Sequence, residues 1–81
     1  MRLFVGNLPW SAKDTDLEEM FSRHGEVMRA TVMLDGQGRS RGFGFVEMER
    51  GGKEAVYNLH GHRFLGRELV VNEARPNGRN V

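Results

Sequence analysis

The sequence predicts an α+β domain built in the order βαββαβ, a four-stranded antiparallel sheet with two helices packed on one face. Three observations carry this. Residues Arg41 to Met48 alternate as a strand does. Two stretches around Leu17 and Ala55 space their apolar residues as helices do, and each lies between strand-like runs. The connector between the second and third runs is too short for a crossover, so those two strands form an antiparallel hairpin. At 81 residues the chain has room for one small domain.

The first strand runs from Arg2 to Gly6, with Leu3 and Val5 inward and Arg2 and Phe4 outward. Asn7-Leu8-Pro9-Trp10-Ser11 reads as a turn and loop. Thr15 with Glu18 has capping-box spacing, which predicts a helix starting near Asp16. Leu17, Met20 and Phe21 form its apolar stripe, and Gly25 after His24 is the expected stop. The second strand spans about Val27 to Leu34. Ala30, Val32 and Leu34 share the inward parity, leaving Thr31 and Met33 outward. Val27 is out of phase, which predicts a bulge or a late start.

The third strand is the informative one. Arg41, Phe43, Phe45 and Glu47 share one face; Gly42, Gly44, Val46 and Met48 share the other. Burying the first face would take an arginine and a glutamate out of water, which is costly unless both are paired. With Val46 and Met48 inward, Phe43 and Phe45 stand side by side on a wet surface. Exposed paired aromatics call for a partner. A strand buried on both faces is the alternative, but glycines at 42 and 44 would fill an inner core poorly.

The second helix carries Ala55, Val56 and Leu59 toward the sheet and ends at Gly61. Gly51 and Gly52 weaken its start by about 1 kcal/mol each relative to alanine, so it is expected to be short or frayed. Arg63 to Leu65 can form a small extra hairpin before Gly66. The last strand covers about Glu68 to Glu73, with Leu69 and Val71 inward and Val70 and Asn72 outward. The predicted domain spans 1–76, followed by a disordered tail at 77–81.

Composition narrows the function classes. Formal net charge is +1, so overall charge does not announce a nucleic-acid binder. Its distribution says more: Asp14, Asp16, Glu18 and Glu19 cluster in one segment, while Arg2, Arg29, Arg39 and Arg41 lie in or beside predicted strands. That dipolar arrangement would steer a polyanion to the sheet. The chain has no cysteine, which excludes disulfides and cysteine-held metals and is compatible with a reducing cytosol. A cytoplasmic location is the expectation. No apolar run approaches a membrane span.

Arg41-Gly42-Phe43-Gly44-Phe45-Val46-Glu47-Met48 follows the octamer K/R-G-F/Y-G/A-F-V-x-F/Y of the RNA recognition motif, departing only at Met48. Leu3-Phe4-Val5-Gly6-Asn7-Leu8 is similar to the family's companion hexamer and stands in the expected order. The chain resembles an RNA recognition motif from end to end, and the small bacterial single-motif and glycine-rich RNA-binding proteins in particular. The resemblance implies a ferredoxin-like fold with the hexamer and octamer strands adjacent at the sheet centre. It implies single-stranded RNA binding, with Phe4 and Phe45 stacking on bases and Phe43 lying against the ribose between them. Arg41 would contact phosphate, and Asn72, Ala74 and Arg75 would read base edges. Arg2, Thr31 and Met33 are outward neighbours that could extend the platform. Single-stranded DNA is expected to bind more weakly.

Other residues have plainer readings. Met48 has inward parity, so its departure from the octamer concerns packing. Trp10 is expected to pack against the rim of the domain, Tyr57 to be solvated, and His60 and His62 to flank a turn. No metal or cofactor is expected, because the two histidines lack further ligands at suitable spacing. An enzyme is the second class, since the same architecture hosts catalysis elsewhere. The sequence has no phosphate loop and no Ser/His/acid spacing to support one. A peptide-binding module is the third; variants of that kind usually lose the sheet aromatics that this chain keeps. The expected protein is a monomer, with a protein partner on the helical face left open.

Overall fold

A computed structural model describes residues 1–74. The order is β1 (Arg2–Gly6), α1 (Asp14–Ser22), β2 (Glu26–Leu34), β3 (Ser40–Arg50), α2 (Gly52–Leu59), β4 (Arg63–Phe64), β5 (Arg67–Glu68) and β6 (Val70–Glu73). Strands β2-β3-β1-β6 form one antiparallel sheet, and β4 and β5 pair separately as the small hairpin expected before Gly66. The octamer and hexamer strands are thus the two central ones. Helix α1 packs on β2 and β3, and α2 on β6 and β1. The arrangement is ferredoxin-like.

Alternation places the core as the sequence implies. Leu3, Val5, Val46 and Val71 are fully buried and Met48 is 1% exposed, all on the side that meets Leu17 and Phe21 of α1 and Ala55 and Leu59 of α2. Burying a side chain of this size is worth about 1.5–3 kcal/mol. The register between β2 and β3 slips on both sides of Val27, the irregularity its phase predicts.

Four local expectations are corrected. Helix α1 begins at Asp14, earlier than the Thr15–Glu18 pair suggests, because the Asp16 carboxylate accepts the Lys13 backbone N–H at 2.9 Å. The reciprocal half of a capping box is therefore used two residues early, by Lys13 and Asp16 in place of Thr15 and Glu18. Asp14 then reaches across to accept the N–H of Val32 at 2.7 Å, tying α1 to β2. Leu34 is exposed and not inward, because the β2–β3 register slips again between Val32 and Leu34. The last strand begins at Val70, since Glu68 pairs with Arg63 in the hairpin. Leu69, just before it, still fills the core at 1% exposure.

The fourth concerns glycine. Gly25 is needed for close approach and not as a left-handed helix stop: a Cβ there would lie 2.1 Å from the Arg50 carbonyl oxygen. Opposite it, Gly51 has φ +80° and a Cβ there would meet the His24 carbonyl at 2.2 Å. Two backbones cross at this point, and only glycine on both sides lets them. Gly51 caps α2 from outside, so it does not weaken the helix interior. Helix α2 is short, at eight residues.

Candidate nucleic-acid interface

The face of the sheet away from the helices carries one continuous row. Phe45 of β3 lies opposite Thr31 of β2 and Phe4 of β1, and Phe4 in turn lies opposite Asn72 of β6. Phe43 lies opposite Gly6. The three phenylalanines are in mutual contact and partly exposed. Phe4 and Phe43 are stacked at 5.9 Å between centroids with 26° between planes. Phe45 meets Phe4 at 5.9 Å and Phe43 at 6.0 Å, both edge-on. These are the geometries that aromatic quadrupoles favour. Gly6 makes the stack possible, because a Cβ there would stand 2.8 Å from the Phe4 ring.

Cations border the cluster. The Arg2 guanidinium lies 4.1 Å from the Phe45 ring centre and Arg41 lies 5.4 Å from that of Phe43. Arg2 also lies opposite Glu47, which on its other side faces Arg29. Thr31 and Met33 are partly exposed, and Asn72 is exposed at the end of the row. At Ala74 the methyl is buried and the N–H is taken by the Arg2 carbonyl at 2.8 Å, so neither of these two groups is open to a ligand. The backbone pairing of the last strand continues through Ala74. Arg75 and the tail expected at 77–81 lie outside the described residues.

Two features escaped the sequence reading. Asn7, with φ +60°, donates its side-chain amide to the Glu68 carbonyl at 2.8 Å and accepts from Arg67 at 2.6 Å. It clasps the β4–β5 hairpin to the end of β1, a role no local pattern announces. Trp10 does not pack against the rim; it is 71% exposed. The other local readings agree better. Tyr57 is 87% exposed, and His60 Nδ1 accepts the Val71 N–H at 3.1 Å, which ties the end of α2 to β6. In the β2–β3 connector the Asp35 carboxylate accepts the backbone N–H groups of Arg39 and Gln37, which hold its pKa below the usual carboxylate value.

The family model for the RNA recognition motif matches residues 3–70. The chain belongs to the RNA recognition motif family. Within that family it is similar to the 28 kDa chloroplastic ribonucleoprotein of Nicotiana sylvestris, with 50% identity over 80 residues covering 93% of this chain and 29% of that protein. It is also similar to the putative RNA-binding protein RbpE of Nostoc, with 47% identity covering 94% of this chain and 80% of RbpE. The chain thus spans under a third of the plant relative and most of the cyanobacterial one. Among solved structures it is similar to the Rna15 motif with bound RNA (GU), at a TM-score of 0.83 and 28% identity, covering 90% of this chain and 81% of that one. In this motif the octamer supplies Phe43 and Phe45 and the hexamer supplies Phe4.

Proposed function

We propose that the chain binds single-stranded RNA on the open face of its sheet, as a monomer and without catalysing a reaction. One observation carries the reading: three phenylalanines from two adjacent central strands form a single exposed cluster on the face opposite the helices. Unpaired bases offer flat apolar faces that such rings stack on, and duplex bases do not. The Rna15 neighbour with bound RNA supports the same use of this fold. Phe4 and Phe45 take the bases and Phe43 the ribose between them. Arg41 meets phosphate, and Asn72 reads a base edge, with Arg2, Thr31 and Met33 beside it. A cytoplasmic location fits a chain without cysteine.

The Arg2 guanidinium over Phe45 adds a detail. A base that stacks on that face of the ring exchanges with Arg2, which is then free to turn toward phosphate. The test is a titration of isotope-labelled protein with short single-stranded RNA, following every backbone amide. Responses are expected in β1, β3 and β6 around Phe4, Phe43, Phe45 and Asn72. Responses confined to α1 and α2 would overturn the proposal.

A further inference from the structure

Glu47 stands two residues beyond Phe45 on the same side of β3 and is partly exposed. A carboxylate on a face that attracts a polyanion is out of place unless something takes up its charge. Arg2 of β1 lies opposite it on one side and Arg29 of β2 on the other. Opposite charges so placed ordinarily pair across strands. Here they do not: among the described residues Glu47 is in no ion pair. The Arg2 guanidinium lies over the Phe45 ring instead, 4.1 Å from its centre, and Arg29 is exposed. There is room beside the carboxylate as well. An open groove of about 370 Å³ at this end of the sheet is lined by Met1, Arg2, Met28, Glu47 and Met48.

Resting on the RNA reading above, we propose that Glu47 selects the base that stacks on Phe45, accepting hydrogen bonds from a guanine edge and repelling uracil. Alternate residues of a strand are about 7 Å apart, so a base lying over the Phe45 ring turns one edge toward the carboxylate. An ionised carboxylate only accepts, through two oxygens. The Watson–Crick edge of guanine carries N1–H and N2–H side by side, two parallel donors for those two oxygens, and charge-assisted pairs of that form are the strong ones. Adenine and cytosine each offer one amino group beside a ring nitrogen that bears a lone pair. Uracil offers N3–H between two carbonyl oxygens, which meet the carboxylate with like charge. Selection of this kind works as much by rejecting the wrong base as by holding the right one. Arg2 and Arg29 keep the surroundings of Glu47 positive, two charges against one, so the phosphates are still attracted. The place of Glu47 on a central strand fixes where its carboxylate can reach.

The experiment titrates the full chain with pentanucleotide RNAs in which uridines flank a central guanosine, inosine, adenosine or uridine, all at one ionic strength. The guanosine oligomer is expected to bind about tenfold more tightly than the all-uridine one, within the range that a bidentate base contact gives. Inosine, which lacks the 2-amino group, is expected to lose most of that gain. Glu47→Gln keeps the size of the side chain and removes its charge; the amide offers one donor and one acceptor, which match adenine. That variant is expected to close the gap between guanosine and inosine and to move the preference to adenosine, with the denaturant midpoint little changed. Equal binding of the guanosine and uridine oligomers by the unaltered chain would overturn the proposal. So would a loss in Glu47→Gln that is the same for every oligomer, which would make Glu47 a support for Arg2 and not a reader of bases. Phe45→Ala separates the two readings: it is expected to weaken all four oligomers. If none of the four binds the unaltered chain, the RNA reading itself fails.

Discussion

The two faces of the sheet are made from the same strands and differ in everything else. On the helical face Leu3, Val5, Val46 and Val71 are fully buried and Met48 is 1% exposed. On the open face their immediate neighbours Arg2, Phe4, Phe45, Glu47 and Asn72 remain in contact with solvent. One step along the chain separates a residue that holds the fold from one that can hold a ligand. Both faces use large apolar groups, so hydrophobicity alone does not tell them apart. What separates them is company. The inner residues alternate with nothing charged on their own face, while the phenylalanines share theirs with Arg2, Arg41 and Glu47.

This contrast is broken most forcefully from the inner face. Leu3→Ala is expected to lower stability by about 2–5 kcal/mol, read by denaturant unfolding, because it leaves a cavity under both helices. The matching change on the outer face, Phe45→Ala, is expected to lower RNA affinity by about 1–3 kcal/mol while the denaturant midpoint moves little. If Phe45→Ala unfolds the protein instead, the two faces have been assigned the wrong way round. A smaller effect sharpens what the outer face recognises. Single-stranded DNA of matching sequence is expected to bind within about tenfold of RNA, about 1.4 kcal/mol, at equal ionic strength. Base faces are common to both strands, and the 2′-hydroxyl alone differs. A thousandfold preference would mean dedicated hydroxyl contacts. Smallest is Arg41→Ala, expected to reduce the salt slope of binding by about 0.7, one single-strand phosphate contact. An unchanged slope would remove Arg41 from the phosphate path.

Much of this was legible before any coordinates. The parity of residues 41–48 separated the faces, and the short connector at 35–40 paired β2 with β3. What could not be read depends on contacts between distant segments. Gly25 looks like a helix stop, but its reason is the Arg50 carbonyl across the molecule. Asn7 looks like part of a turn, yet its partners are Arg67 and Glu68. Leu34 has inward parity until a register slip turns it out. The start of α1 was missed for a local reason: Asp14, Asp16, Glu18 and Glu19 offer several acids at capping distance, and spacing does not choose among them. Trp10 was misjudged because a tryptophan beside a proline is as compatible with a rim contact as with open solvent.

The strand order has a consequence for how the surface comes into being. Phe4 lies opposite Phe45 on one side and Asn72 on the other, so its row joins the beginning, middle and end of the described chain. Pairings this remote must close long loops before they gain anything, which places such folds between helical bundles and all-β sandwiches in folding rate. No early local structure, neither a single hairpin nor a helix, contains more than part of the row. A partly synthesised chain that lacks β6 leaves β1 at the sheet edge and the row without Asn72. The aromatic row is therefore a late product of folding, and partially folded chains present it incomplete.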